Sequence, residues 1–233
     1  MREREKEREM TTLRQFEAED LFKFNHINMD PLTETYNIPF YMQYCATWPS
    51  ICASYEDHNG RLMGYVLGKA EGESNLWHGH VTAITVSPEY RRLGVAKNLM
   101  FYLEDISARM YVNSEYVSMC LYACVSMCLD VSLCVSPSHS RTLTPTHALL
   151  STTTHYNCRY NAYFVDLFVR ISNQLAQFMY SNIDYSVYRQ VVLYYSGEED
   201  AHDMRKALPR DIKKLSVVPR QPFKCHPHEI EWS

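Results

Sequence analysis

Pro88-Glu89-Tyr90-Arg91-Arg92-Leu93-Gly94-Val95-Ala96 follows a strand-like run, HVTAITVS, and opens a helix-like one. A phosphate cradle needs uncovered backbone N–H groups at a helix N-terminus, a glycine where a side chain would block the anion, and cations nearby. Arg91, Arg92, Gly94, Val95 and Ala96 supply these at the carboxyl end of the strand. The plainer reading is a strand-to-helix turn with two solvated arginines. A second pair, Asn173 and Tyr180, lies on a later helical stretch. Positions i and i+7 share a helix face about 10 Å apart along the axis. An amide and a phenol so placed could hold an extended ligand and donate a proton at its reactive end, or they could cap a helix and fill a core.

Those residues need a scaffold, and the apolar pattern provides one. LRQF reads as a strand, and AEDLFKFNHIN as a helix on Leu21, Phe24 and Ile27. The proline-flanked loop DPLTETYNIP and the helix FYMQYCATW follow. ICASYED and RLMGYVLGKA flank His58-Asn59-Gly60, a hairpin signal that predicts a tight primed turn. HVTAITVS is a third strand, and Val95, Leu99, Leu103 and Ile106 give a helix over 91–109 its apolar face. YFVDLFVR reads as a strand buried on both faces, SNQLAQFMYSNI as a helix capped by Ser172, and YSVYRQVVLYY as the last strand. The sum is an α/β fold, a mixed central sheet flanked by helices.

The chain has 233 residues, 46% hydrophobic and 21% charged, enough apolar material for one sizeable core. Its net charge of -4 offers no footprint for nucleic acid. MREREKERE alternates acids with bases and precedes no apolar stretch, so 1–9 reads as a charged extension rather than a secretion signal. Residues 111–162 are of another kind: VSMCL at 117–121 returns at 125–129 and, degenerately, at 131–135, before a Ser/Thr/His/Pro-rich stretch. We read this segment as a disordered low-complexity insertion foreign to the domain. Asp130 argues against a membrane span there, and Cys120, Cys124 and Cys128 lack the spacing of a zinc site, so neither membrane nor metal is expected.

The spacing Arg-x-x-Gly-x-Ala is similar to the acetyl-CoA pyrophosphate loop of the GNAT superfamily. MTTLRQF, DLFKFNHINMDPLTETYNIPFYMQY, LMGYVLGKAEG, WHGHVTAITVSPEYRRLG, FVDLFVRISNQ, YSVYRQVVLYYS and DMRKALPRD further resemble the catalytic subunits of NatB-type amino-terminal acetyltransferases. The resemblance covers about 10–110 and 163–212, which makes 10–212 an interrupted GNAT domain and 213–233 a tail. It implies a GNAT fold and acetyl transfer from acetyl-CoA to the α-amine of nascent chains beginning Met-Asp, Met-Glu, Met-Asn or Met-Gln. It also implies a helical-repeat auxiliary subunit, ribosome association through that subunit, and a cytoplasmic location. Thr85, Val86, Arg91, Arg92, Leu93, Gly94, Val95, Ala96, Asn173 and Tyr180 would hold acetyl-CoA. Glu34, Tyr36, His80, Thr82, Tyr194 and Tyr195 would line the peptide groove, with Tyr180, His80 and Glu34 nearest the chemistry. Taken alone, His80 could be a satisfied structural histidine, Glu34 a solvated charge, and Tyr194-Tyr195 an inward and an outward strand residue.

There are departures. Asp184 stands where the family has glycine, which a left-handed backbone would tolerate. SICASYED is less aromatic and apolar than the family's strand, and the insertion replaces a short turn. Two other outcomes stay open on the sequence: an inactive product that still binds the auxiliary subunit, and a GNAT acting on lysines or small amines.

Overall fold

The structure, a computed structural model, describes residues 11–29, 33–109 and 160–231. The extension 1–9, the disorder expected for the insertion, and the membrane and zinc readings within it lie outside the described residues, apart from 160–162. The strands are β1 (Thr12–Gln15), β2 (Ala53–Glu56), β3 (Leu62–Glu71), β4 (His78–Val86), β5 (Phe164–Arg170), β6 (Ser186–Tyr195), β7 (Glu199–Ala207) and β8 (Lys224–Cys225). The helices are α1 (Asn25–Asn28), α2 (Ile38–Thr47), α3 (Val95–Ala108) and α4 (Gln174–Ser181). The strands form one sheet in the order β1-β2-β3-β4-β5-β7-β6-β8. Its pairs are antiparallel except β4 with β5 and β6 with β8.

Each helix lies where its apolar spacing sends it. Val95, Leu99, Leu103 and Ile106 of α3 are buried in the main core. A second core holds Phe16, Phe24, Ile27, Tyr41, Tyr44 and Tyr65. Burying each such side chain contributes about 1.5–3 kcal/mol. The strand whose composition departs from the family still fills its place, because Ile51, Cys52, Ala53 and Ser54 are fully buried. Asp20 fixes β1 to β2: Arg14 donates to both of its carboxylate oxygens, at 2.8 and 2.7 Å, and Ser54 donates at 2.9 Å.

Several expectations are corrected. The single helix over 18–28 is a 3-10 turn, Ala18–Phe22, followed by α1. The hairpin loop is not a two-residue primed turn. Asp57 accepts from the amides of Asn59 and Arg61 at 2.9 Å, and of the loop residues only Gly60 has positive φ. Helix α3 begins at Val95, after a 3-10 turn at Pro88–Tyr90. The cap of α4 is Asn173, not Ser172, because the Asn173 side chain accepts from Ala176 N. Asp184 does adopt φ 71°, the left-handed conformation that makes it tolerable.

Contacts at 160–162 and beyond 213 bear on the domain bounds. The tail from 213 is part of the sheet: β8 pairs with β6, and Cys225 and Ile230 pack on Val191. Tyr160, inside the span read as insertion, contacts the domain: its carbonyl accepts from Trp77 Nε1 at 2.7 Å. Across the junction, Asn161 N donates to Arg109 O at 3.1 Å and Ala162 N to Ser107 O at 2.9 Å.

Candidate functional site

The pairing of β4 with β5 runs only from His78↔Phe164 to Val81↔Leu167. There β4 carries a bulge, since Gly68 pairs with Val81 and Leu67 with Ala83, leaving Thr82 as the extra residue. A bulge bends its strand and ends regular pairing. The Tyr44 hydroxyl pins this one by a 2.9 Å hydrogen bond to Thr82 Oγ1. Beyond it the two parallel strands part around a cleft lined by Thr82–Thr85, Leu167–Arg170, Asn173 and Tyr180. Ser87 N donates to Met63 O at 2.9 Å. Alternation along β4 therefore turns the amides of Ile84 and Val86 away from β3 and toward the cleft. Val86 has its side chain in the core, so only its backbone can serve a ligand.

The predicted phosphate cradle sits at the start of α3. Gly94 has φ 88° and precedes the helix without a capping side chain. Among the described residues the first-turn amides consequently have no side-chain acceptor at the cap, and the helix dipole adds partial positive charge there. Arg92 has φ 64°, so two left-handed residues shape the loop. Arg91 Nε donates to Val86 O at 3.3 Å, tying the loop to the end of β4. Leu93 is exposed and Val95 buried, which leaves their backbones as the usable groups. A Cβ on Gly94 would meet nothing within 4 Å, so conformation fixes the glycine and the space above it is open. Uncovered amides, an open glycine and two arginines fit the pyrophosphate of coenzyme A.

Asn173 and Tyr180 both line the cleft, as their spacing predicts. The Asn173 carbonyl oxygen is spent on its cap, which leaves the amide NH2 for a ligand. Tyr180 is buried, and its hydroxyl makes no hydrogen bond among the described residues; burial alone pushes its pKa up.

Of the residues expected on the peptide side, Glu34, Thr82 and Tyr195 line the cleft, whereas Tyr36, His80 and Tyr194 lie behind that lining. Glu34 ion-pairs with Arg170. Arg170 also reaches Glu199 at 3.0 Å and lies 4.1 Å over the Tyr195 ring. Tyr36 stacks on Phe40 at 4.2 Å. His80 Nδ1 is 2.8 Å from Asp166 Oδ1, and the Asp166 side chain is fully buried. Burial opposes the Asp166 charge, yet His78 and His80 hold its carboxyl well below the usual range. Alternation would put Tyr194 and Tyr195 on opposite faces. Instead, Tyr194 stacks on Phe168 at 4.6 Å, and the Tyr195 hydroxyl donates to Phe168 O at 3.0 Å. The cause is an irregularity in β6, where Leu193 has φ 53° and the register shifts between Val191 and Tyr195. Burial, first of all, pushes Tyr36 and Tyr194 up to about 12, so both stay protonated donors at neutral pH.

Asp166, Arg170, Glu199 and Tyr44 escaped the sequence reading. Arg170 and Asp166 lie inside the strand motif FVDLFVR, where their charges interrupt an otherwise apolar run, and that interruption was the available signal.

A mixed sheet that splits between two parallel strands, beside a glycine-led helix start, defines the class: a GNAT acetyltransferase. The Acetyltransferase (GNAT) family matches residues 18–121. N-alpha-acetyltransferase 20 of Dictyostelium discoideum is 47% identical over 210 residues, covering 90% of this chain and 93% of that protein. The NatB complex catalytic subunit NAA20 of Arabidopsis thaliana is 43% identical over 224 residues, 96% of this chain and 99% of its own. Among solved structures, Chaetomium thermophilum Naa20 in complex with a bisubstrate analogue superposes with TM-score 0.66 at 32% identity, covering 93% of this chain and 97% of that one. The chain belongs to the family of NatB catalytic subunits and is an acetyl-CoA-dependent N-terminal acetyltransferase.

Proposed function

We propose that this chain is the catalytic subunit of a NatB-like complex, acetylating the α-amine of proteins that begin Met-Asp, Met-Glu, Met-Asn or Met-Gln. The observation that carries the reading is the parting of β4 from β5 at Thr82, with the uncapped α3 start and the wall of Glu34, Thr82 and Tyr195 both beside the gap. Two ligands can meet there from opposite sides.

Acetyl-CoA, when bound, supplies an acetyl group already activated as a thioester. The amine nitrogen bonds to the acetyl carbon, the carbon–sulfur bond breaks, and the thiol leaves with a proton. The α3 amides with Arg91 and Arg92 hold the pyrophosphate, and the Asn173 amide holds the pantetheine arm. The outward amides of Ile84 and Val86 hold and polarise the thioester end. The Tyr180 hydroxyl, buried and uncommitted, donates to the departing sulfur. A strong base is dispensable. An α-amine of pKa ~7.8 costs ~1.2 kcal/mol to deprotonate at pH 7, against ~4.6 kcal/mol for a lysine of pKa ~10.4. Water ordered by His80, Glu34 and the tyrosines carries the proton away. The same arithmetic favours α-amines over lysine side chains as substrates.

The auxiliary subunit's place is the apolar face of the 3-10 turn, α1 and α2, where Phe22, Met29 and Ile38 are 86%, 82% and 66% exposed. Ribosome association through that subunit and a cytoplasmic location follow. Among the described residues no helix is long and apolar enough to cross a membrane. The test is acetyl transfer by the chain with its auxiliary subunit to Met-Asp, Ser-initiated and lysine-containing peptides. Preference for Met-Asp supports the reading; equal or greater lysine acetylation removes it.

A further inference from the structure

His78 and His80 are two residues apart on β4 and so project from one face of the sheet. Register adds an acid on each side: His78 pairs with Glu71 of β3, and His80 with Asp166 of β5. Three adjacent strands thus bring two imidazoles and two carboxylates to one spot. His78 Nε2 lies 3.5 Å from Asp166 Oδ1 and 3.8 Å from Glu71 Oε1. His80 Nδ1 lies 2.8 Å from Asp166 Oδ1 and 4.0 Å from Glu71 Oε1. Tetrahedral zinc with nitrogen and oxygen ligands at 2.0–2.2 Å places neighbouring donors about 3.4 Å apart. These separations straddle that value, and Glu71, His78 and His80 offer ligand atoms that all lie within 4.8 Å of one another.

The surroundings are those of a built site. His78 Nδ1 is 2.6 Å from the Leu76 carbonyl, which can only accept. A proton therefore sits on Nδ1, which leaves Nε2 as the ring nitrogen that faces the two carboxylates and that a metal would take, the orientation that hydrogen-bond partners behind the ring impose on ligating histidines. Phe164 stacks on the same ring at 4.7 Å and 1°. Lys69 holds Glu71 Oε2 at 2.5 Å, leaving Oε1 for the cluster. Asp166 Oδ2 is buried with no hydrogen-bond partner among the described residues. A cation would have a way in past Glu71, whose side chain is partly exposed. Metal-ligand spacing along the chain misses the site because its acids come from neighbouring strands.

We propose that Glu71, His78 and His80 form a zinc(II) site with Asp166 beside it, and that a bound zinc ion, by taking His80 Nδ1, reversibly blocks acetyl transfer. Binding releases the Nδ1 proton of His80 to solvent. The ion does not enter the reaction. The binding half stands on the geometry alone; the inhibition half rests on the groove role proposed for His80.

The full chain, stripped of metal, is titrated with zinc(II) against a chromophoric chelator and with cobalt(II) by visible absorption. The variants Glu71→Gln and His78→Gln, and a His226→Ala/His228→Ala control, are titrated alongside. One equivalent should bind whose affinity falls at least tenfold in each of the first two variants but not in the control. Its cobalt form should show tetrahedral nitrogen/oxygen bands without thiolate charge transfer. Acetylation should fall at least tenfold as that equivalent fills and return on chelation, and Glu71→Gln should lose this sensitivity. Unchanged affinity in Glu71→Gln, a partly exposed position whose folding is checked by Tm, overturns the site even if His78→Gln does not fold. Tight zinc with undiminished acetylation overturns the inhibition. Zinc binding by a chain that acetylates no peptide even without metal would instead count against the proposed function.

Discussion

Glu34 and Arg170 form an ion pair at the cleft although 136 positions separate them, and the same guanidinium lies over Tyr195. The pair joins the loop before α2 to the end of β5. Exposed pairs of this kind contribute at most about 1 kcal/mol, so Glu34→Ala should leave Tm within about 2–4 °C of the parent. Its effect belongs to the substrate: peptide KM should rise about tenfold with acetyl-CoA KM unchanged. Parallel loss of both would reassign Glu34 to the fold.

Tyr180→Phe removes one hydroxyl that makes no hydrogen bond among the described residues. Because that group acts only as the sulfur departs, kcat should fall ~10-fold or more with little change in peptide KM. Steady-state kinetics on a Met-Asp peptide reads this directly, and an unchanged kcat takes Tyr180 out of the mechanism.

His80→Ala should weaken peptide use while coenzyme A binding, followed by calorimetry, stays near normal. His80 packs against Phe168 at 5.6 Å on the side of the cleft where Tyr194 stacks. If coenzyme A affinity drops equally, His80 supports the sheet and not the groove.

Acid should loosen the β1–β2 edge through Asp20. Burial opposes its charge, but the Arg14 hydrogen bonds, the Glu17 amide and Ser54 lower its pKa overall. A carboxylate lowered on folding contributes stability that is complete above its unfolded pKa of about 3.9 and is lost as pH falls through the folded value. Asp20→Asn should cost about 2 kcal/mol near neutrality, a Tm drop of roughly 4–8 °C, and the gap to the parent should close toward pH 2. A gap that widens in acid contradicts the assignment.

Replacing 111–159 by a short glycine-containing turn, keeping Tyr160–Ala162 for their contacts, should preserve or raise activity. Shortening an open connection from about 50 to about 5 residues relieves roughly 2 kcal/mol of closure entropy. Solubility, Tm and Met-Asp acetylation of the two forms decide it. An inactive or unfolded deletion beside a working full chain would make the segment a functional part.

What the sequence disclosed and what it hid follow one physical line. The glycine-led helix start at 94–95 was legible because a glycine and a strand-to-helix change are local signals, and Tyr180 falls on α4 as read, but Asn173 is the non-helical cap of that helix and not a member of its face. Strand β7 was missed because its inward residues Asp203 and Arg205 are charged, and are buried only by virtue of each other and Arg189. Hydropathy cannot foresee a buried ion cluster. The bulge at Thr82, the fold of Tyr194 and Tyr195 onto β5, and the Asp166–His80 contact depend on register between strands distant in the chain. No window along the sequence contains them.

The hydrogen bonds from Asn161 to Arg109 and from Ala162 to Ser107 close the domain at the point where the insertion leaves it. They lie at the end of the sheet where β5 begins, whereas the reaction cleft opens beyond Leu167, toward the end of that strand. The junction is therefore a seam held shut by the domain's own backbone, at the end of β5 away from the cleft.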